Sequence, residues 1–320
     1  MFTVALLEIR ELKTFFYTIR GIVKAVDNVS LTLEKGETLG IVGESGCGKS
    51  TLAWSIIGLV PPPGRIVGGS IIIDGMDITK MNENDIRHDI RWKKVSMIFQ
   101  GAMNALNPVY KIRDQVAEPL LLNGYTEEEA YNRVNELLES VGLSSKIGER
   151  YPHELSGGMK QRVVIAMALV LEPDIVIADE PTTALDVVVQ AQILNLLKEL
   201  QRKKKRSIII ISHDLGVVTE LAEKIAVMYA GKIVEYGTAE QIFENPLHPY
   251  TQALIRAVPR LTGPVSKLEY IPGSPPDLRN PPPGCRFAPR CNKAFDPCSK
   301  EEPLLKEVEN GHHVACHLYS

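Results

Sequence analysis

The chain has 320 residues, 44% hydrophobic and 23% charged, an ordinary globular composition with length enough for one large domain and a smaller one. A net charge of −3 supplies no basic footprint, which disfavours DNA or RNA as the main partner. No apolar run approaches the roughly 18 residues a spanning helix needs. The apolar start Met1 to Leu7 is broken by Glu8 and Arg10 and lacks the charged n-region and apolar core of a signal peptide. The chain is expected to stay in the cytoplasm and to reach a membrane only through a partner.

Up to about residue 240, short β-branched runs alternate with helical patterns, which predicts an α/β fold with a largely parallel sheet. Strands are expected at Leu39 to Val42, Val95 to Phe99, Ile175 to Ala178, Ser207 to Ile211 and Lys224 to Tyr229. Directly after the first stands Gly43-Glu44-Ser45-Gly46-Cys47-Gly48-Lys49-Ser50-Thr51, which matches G-x-x-x-x-G-K-[ST] and opens the helical segment Leu52 to Leu59. The glycines let the backbone wrap phosphates, with N–H groups of the helix start pointing inward. Lys49 brings charge to the β- and γ-phosphates and the Ser50 hydroxyl reaches Mg²⁺, while Cys47 occupies a free position of the loop.

Between Gly101 and Glu154 helix signals replace strand signals. Thr126 with Glu129 makes a capping box, Ala130, Val134, Leu137, Leu138 and Val141 keep helical spacing, and Gly142 supplies a stop. Residues from about 101 to 155 therefore read as an inserted helical subdomain. The run Ile175-Val176-Ile177-Ala178-Asp179-Glu180 is an apolar strand ending in two carboxylates that alternation sends in different directions. Asp179 suits the Mg²⁺ shell, and Glu180 suits a general base that polarises the attacking water. The basic run from Arg202 to Arg206 falls between a helix and a strand and reads as a solvated turn.

From Asn245 onward proline accumulates, at Pro272, Pro275, Pro276, Pro281, Pro282 and Pro283, favouring extended backbone. This composition shift draws the boundary between residues 1–244 and a small C-terminal module at 245–320. Four of the five cysteines, Cys285, Cys291, Cys298 and Cys316, fall in the last 36 positions. In a reducing compartment such a cluster points to metal before disulfide. Their spacing lacks the C-x2-4-C pairing usual for zinc, so a thiolate-bound iron–sulfur cluster competes with it. His312, His313 and His317 crowd Cys316 and read as surface residues rather than ligands.

Leu155-Ser156-Gly157-Gly158-Met159-Lys160-Gln161-Arg162 resembles the signature of the ATP-binding cassette family. A serine and two glycines opening a helix form a second anion-binding N-terminus. The resemblance implies an ABC-type P-loop NTPase with a mixed sheet, an inserted helical subdomain and a Cys-rich C-terminal metal-binding module. It implies that Ser156, Gly157 and Gly158 complete the ATP site of a second subunit. Met159 stands where the family usually has glutamine, which removes a side-chain contact and leaves Ser156 and the backbone donors. Gln100 is similar to the glutamine that contacts Mg²⁺ and couples to the transport subunit. His213, in Ser212-His213-Asp214, resembles the γ-phosphate switch histidine, and Asp186, in Thr183-Ala184-Leu185-Asp186, the loop that crosses the dimer interface. The adenine-stacking aromatic falls on Phe16, with Tyr17 beside it.

Asn245-Pro246-Leu247-His248-Pro249-Tyr250-Thr251 and Gly284-Cys285-Arg286-Phe287 are similar to the dipeptide, oligopeptide and nickel importer branch, so the likeness extends over about residues 4 to 320. It implies an ATPase subunit on the cytoplasmic face of the membrane that powers peptide uptake, with nickel as the alternative cargo. Its partners would be a second ATPase subunit, two permeases and, indirectly, an external binding protein. It also implies a [4Fe-4S] cluster on Cys285, Cys291, Cys298 and Cys316, with zinc as the alternative. A cassette ATPase acting on nucleic acid lacks the basic surface it would need, and a non-hydrolysing module would not require Glu180 and His213.

Overall fold

The stretch from Leu7 to Ile73 builds an antiparallel sheet that no short apolar run marks in the sequence. In the computed structural model, which describes residues 5–101, 105–183, 185–257 and 271–320, Leu7–Thr18 pairs antiparallel with both Gly21–Leu33 and Gly64–Ile73. The register shifts between Ile9 and Leu12, where Glu11 takes a left-handed φ of 46°. One extra residue there turns Glu11 outward and puts Leu12 on the same buried side as Leu7 and Ile9. Alternation is broken in the sequence at the place where the strand bulges. The buried hydroxyls of Thr14 and Ser55 meet at 2.8 Å and tie this sheet to the helix Lys49–Ile56.

Two compact units divide the chain. The first takes described residues of 1–34, 38–80 and 210–320, and the second 35–37 and 81–209. Besides the antiparallel sheet, the first unit holds a mixed sheet ordered Lys306–Glu309, His312–Val314, Lys232–Thr238, Lys224–Tyr229, Thr38–Val42. Only its last pair is parallel, with Leu39 opposite Lys224 and Val42 opposite Val227. Every residue of Thr38–Val42 is buried, as a parallel strand covered on both faces must be.

In the second unit Val95–Ile98 runs parallel to Ile175–Asp179, whose five residues are all buried. Around them pack Ile112–Leu122, Glu127–Ser140, Gly157–Leu169 and Val187–Lys204. Their inward stripes meet in one core that includes Ile112, Val116, Val134, Leu138, Val163 and Ile193, each fully buried. The capping box forms as expected: Glu129 N–H donates to the Thr126 hydroxyl and Thr126 N–H to the Glu129 carboxylate. Gly142, with φ of 75°, ends that helix, and Arg162 donates to the carbonyl of Val141 at 2.7 Å. Ser207–Ser212, buried throughout, lies where the chain passes from the second unit to the first.

Two surface expectations are corrected. Arg206 is buried, with its guanidinium 3.6 Å from Glu172, so the basic run is not solvated along its whole length; the side chains of Lys203 and Lys204 lie outside the described residues. His312 is also buried. It sits on the strand that pairs with Lys232–Thr238, and its Nε2 lies 2.8 Å from the carboxyl of Glu235, which is 0% exposed. His313 and His317 are half-buried and bond the carbonyls of Gly311 and Glu301. Among the described residues no helix is long and apolar enough to cross a membrane.

Candidate nucleotide site

In the first unit, Gly43 follows the buried strand Thr38–Val42 with φ of 153°, and Gly48 precedes the helix Lys49–Ile56 with φ of 109°. A Cβ at Gly43 would lie 2.1 Å from the carbonyl oxygen of Met228, and one at Gly48 would lie 2.1 Å from that of Ala25. Both positions therefore need glycine on two counts, conformation and space. The helix start carries no side-chain cap and no acidic residue in its first turn, which leaves its N–H groups and positive dipole end for an anion. Lys49 curls back over the loop, donating to the carbonyls of Gly43 at 2.7 Å and Glu44 at 3.0 Å. Its third donor faces Cys47 Sγ at 3.7 Å, a weak acceptor that a phosphate oxygen would outcompete. Cys47 itself is buried, and burial pushes its thiol pKa up against the pull of Lys49, so it remains an unreactive thiol.

Ser45 and Gly46 are exposed, Ser50 is half-buried and Thr51 is buried. His213 is exposed in the turn after Ser207–Ser212, and the next residue, Asp214, caps the helix Leu215–Leu221. Phe16 packs against Gly64, where an added Cβ would come within 2.6 Å of its ring; Tyr17 is 39% exposed with Arg65 at 4.5 Å over its ring.

The second unit brings Gln100 and Glu180 together. Parallel pairing sets Ile98 opposite Ala178, so two residues further on Gln100 and Glu180 stand side by side, and Gln100 Nε2 donates to Glu180 Oε2 at 3.2 Å. The Thr183 hydroxyl donates to the same oxygen at 2.8 Å. Glu180 has a left-handed φ of 48°, a conformation that costs a non-glycine residue about 1 kcal/mol and is found at functional turns. Asp179 is 2% exposed at the strand end.

Ser156 caps Gly157–Leu169 by accepting from Met159 N–H, and Ser156 and Gly157 are exposed. A Cβ on Gly158 would meet Val189 at 2.7 Å, so this glycine also serves helix packing. Asp186 accepts from Val189 N–H at 2.9 Å and caps Val187–Lys204; Val187 and Val188 beyond it are 81% and 67% exposed. Ala184 of the same motif lies outside the described residues.

Cys285, Cys291, Cys298 and Cys316 line one cavity with His248 and Phe287. All four are free thiols, and burial raises Cys285 to about 11 and Cys291 and Cys316 above the ordinary thiol value. Among the described residues no three or more His, Cys, Asp or Glu side chains are gathered as they would be on a metal ion. His248, fully buried, is depressed to about 4 by desolvation and stays neutral, with its Nδ1 accepting from Tyr250 N–H.

The loop is gripped from outside by residues far away in the sequence. Glu44 N–H donates to the Tyr250 hydroxyl at 2.8 Å, Arg290 binds the Glu44 carboxylate through two nitrogens, and Gly231 N–H donates to the carbonyl of Cys47. No local pattern announces contacts between residues some two hundred positions apart.

A glycine-rich loop closing a buried strand, together with an apolar strand ending in two carboxylates, defines a P-loop nucleoside triphosphatase. A family model described as ABC transporter matches residues 26–183, and one described as the C-terminal region of oligopeptide/dipeptide transporters matches residues 234–298. The oligopeptide transport ATP-binding protein AppD of Bacillus subtilis is 49% identical, with 98% of this chain and 97% of the relative covered. The dipeptide transport ATP-binding protein DppD of the same organism is 49% identical over 98% and 94%. A solved dimer of the ATP-binding cassette MJ0796 bound to ADP and Pi superposes with TM-score 0.66 at 29% identity, covering 73% of this chain and 98% of that one. The chain belongs to the ATP-binding cassette family and is an ATP-hydrolysing cassette.

Proposed function

We propose that the chain is the ATPase subunit of a peptide importer, working at the cytoplasmic face of the membrane with a second ATPase subunit and two permeases. The observation that carries this reading is the match of residues 234–298 to the oligopeptide/dipeptide C-terminal region, in a chain whose named relatives transport dipeptides and oligopeptides and align over nearly the full length of both chains. Lys49 and the N–H groups after Gly48 hold the phosphates, and Ser50, Gln100 and Asp179 hold Mg²⁺. Glu180 takes a proton from the water that attacks the γ-phosphorus, ADP leaves, and His213 senses the γ-phosphate. Phe16, with Tyr17 beside it, stacks on adenine. Ser156, Gly157, Gly158 and Asp186 act on the nucleotide of the partner subunit, for which the exposure of Ser156, Gly157 and Asp186 is the support. Clamping and release then drive the permeases by differential binding of ATP to the two states. In vesicles holding the whole transporter, turnover should rise several-fold with peptide-loaded binding protein and not with nickel. Stimulation by nickel alone would reassign the cargo, and stimulation by nucleic acid would overturn the importer reading.

We infer an iron–sulfur group at the cysteine cavity. Cys285, Cys291, Cys298 and Cys316 line one space whose lining includes no carboxylate, and this soft donor set supports a [4Fe-4S] cluster, with zinc as the alternative. Cys285, Cys291, Cys298 and Cys316 would hold it, and it would supply a cross-link between segments 31 positions apart, or a one-electron centre. Protein purified without oxygen should contain iron and sulfide in equal amounts, about four of each per chain. A colourless preparation with one zinc would sink the cluster.

A further inference from the structure

Arg290 lies outside the nucleotide motifs, yet it reaches the phosphate loop. Its Nη1 donates to Glu44 Oε2 at 2.7 Å and its Nη2 to Glu44 Oε1 at 3.0 Å, a fork that fixes the carboxylate in plane as well as in distance. The remaining donors are used as well: Nε on the carbonyl of Pro272 at 2.8 Å, Nη1 on the Tyr229 hydroxyl at 3.2 Å, and Nη2 on the carbonyls of Ile271 and Gly273 at 3.4 Å. The Arg290 side chain is 5% exposed and that of Glu44 25%. Tyr250, whose ring is fully buried, holds the same residue by its main chain through the Glu44 N–H.

Glu44 is where an outside grip matters most. Its neighbours Ser45 and Gly46 are exposed, and a Cβ at Gly46 would touch nothing within 4 Å, so the outer part of the loop has little to lean on. The loop is pinned at Glu44 and again at Cys47, whose carbonyl accepts from Gly231. The carbonyl of Glu44 in turn accepts from Lys49 Nζ at 3.0 Å.

We propose that Arg290 and Tyr250 are positioning residues of the phosphate-binding loop, setting the Glu44 backbone and through it the Lys49 ammonium and the inward N–H groups for the phosphates of ATP. The inference rests on this loop being the nucleotide site. It makes the C-terminal segment part of ATP binding in the subunit that carries it, in addition to any part in transport.

The test is titration of the full chain with a fluorescent ATP analogue and Mg²⁺, paired with the dependence of turnover on ATP in the whole transporter. Arg290→Ala and Glu44→Gln should each weaken nucleotide binding and raise KM for ATP by about tenfold, as a loop displaced by part of an ångström would, with kcat at saturation nearly unchanged. Arg290→Lys should recover part of the affinity, since it keeps the charge and loses the fork. Tyr250→Phe should cost about threefold, the loss of a single neutral hydrogen bond. The double variant of Glu44 and Arg290 should be no worse than either single one, because they remove the same contact. A lower melting temperature with unchanged affinity and KM in these variants would make Arg290 a structural tie only and overturn the proposal. If Arg290→Ala does not fold, Arg290→Lys and Glu44→Gln carry the same test. Lys49→Ala separates the two failures: normal binding in that variant would remove the loop as the nucleotide site, whereas its loss of binding beside normal Arg290 variants would sink the positioning role alone.

Discussion

Glu180→Gln is expected to lower steady-state ATP turnover by about 10²–10⁴-fold, the range a positioned general base contributes, with Mg-ATP affinity close to that of the parent chain. The substitution is nearly isosteric, and the Thr183 hydroxyl can donate to an amide oxygen as it does to Glu180 Oε2 at 2.8 Å. The left-handed backbone at Glu180 is carried by the chain and not by the carboxylate, so the turn should persist. What disappears is the ability to take a proton. Gln100 Nε2, at 3.2 Å from the same Oε2, can likewise donate to the amide oxygen, so both contacts of the side chain should survive. Because ATP binding survives and its breakdown does not, the variant should accumulate in the ATP-clamped dimer, read as a doubled mass on size-exclusion chromatography in ATP. Near-normal turnover would remove Glu180 as the base and leave His213 as the candidate.

The parts of this molecule that are legible in the sequence are those whose physical demands are local. Gly43 and Gly48 are glycines because backbone lies 2.1 Å from where a Cβ would be, and the loop pattern records that demand residue by residue. Ile175–Asp179 is buried at every position, so it reads as an unbroken apolar run with its two carboxylates at the end. Thr126 and Glu129 sit within one helical turn, and the reciprocal cap is visible for that reason. The N-terminal antiparallel sheet is not legible because the bulge at Glu11 interrupts the alternation that would mark Leu7–Thr18. Long-range polar pairs are missed for a different reason. By sequence His312 is one of several histidines near a cysteine; its buried ring meets Glu235, 77 positions earlier, and the buried Arg290 meets Glu44, 246 positions earlier. Nothing at either residue alone records its partner.

Ending the chain after Glu244 is expected to abolish folding of the first unit, although the composition changes at that point. The residues beyond it fill the unit and close its sheet. The buried ring of Tyr250 packs 4.5 Å from Tyr229 and 5.4 Å from Phe287, and Phe287 is 3% exposed. Losing each such aromatic from a core costs about 3–5 kcal/mol. The Glu235 carboxylate would lose the N–H donors of Leu247 and His248 and the ring of His312, leaving a buried carboxyl group unsatisfied at about 1–3 kcal/mol or more. Removing His312–Val314 would also leave the edge of Lys232–Thr238 open to pairing with other chains. The sum reaches the whole stability of a typical domain, about 5–15 kcal/mol, so the shortened chain should be insoluble or melt without a cooperative transition. Calorimetry and a nucleotide titration on the 244-residue fragment read this directly. A soluble fragment with a sharp transition and undiminished ATP affinity would mean that residues 245–320 are a separable module, and that Tyr250 and Arg290 do nothing for the loop they touch.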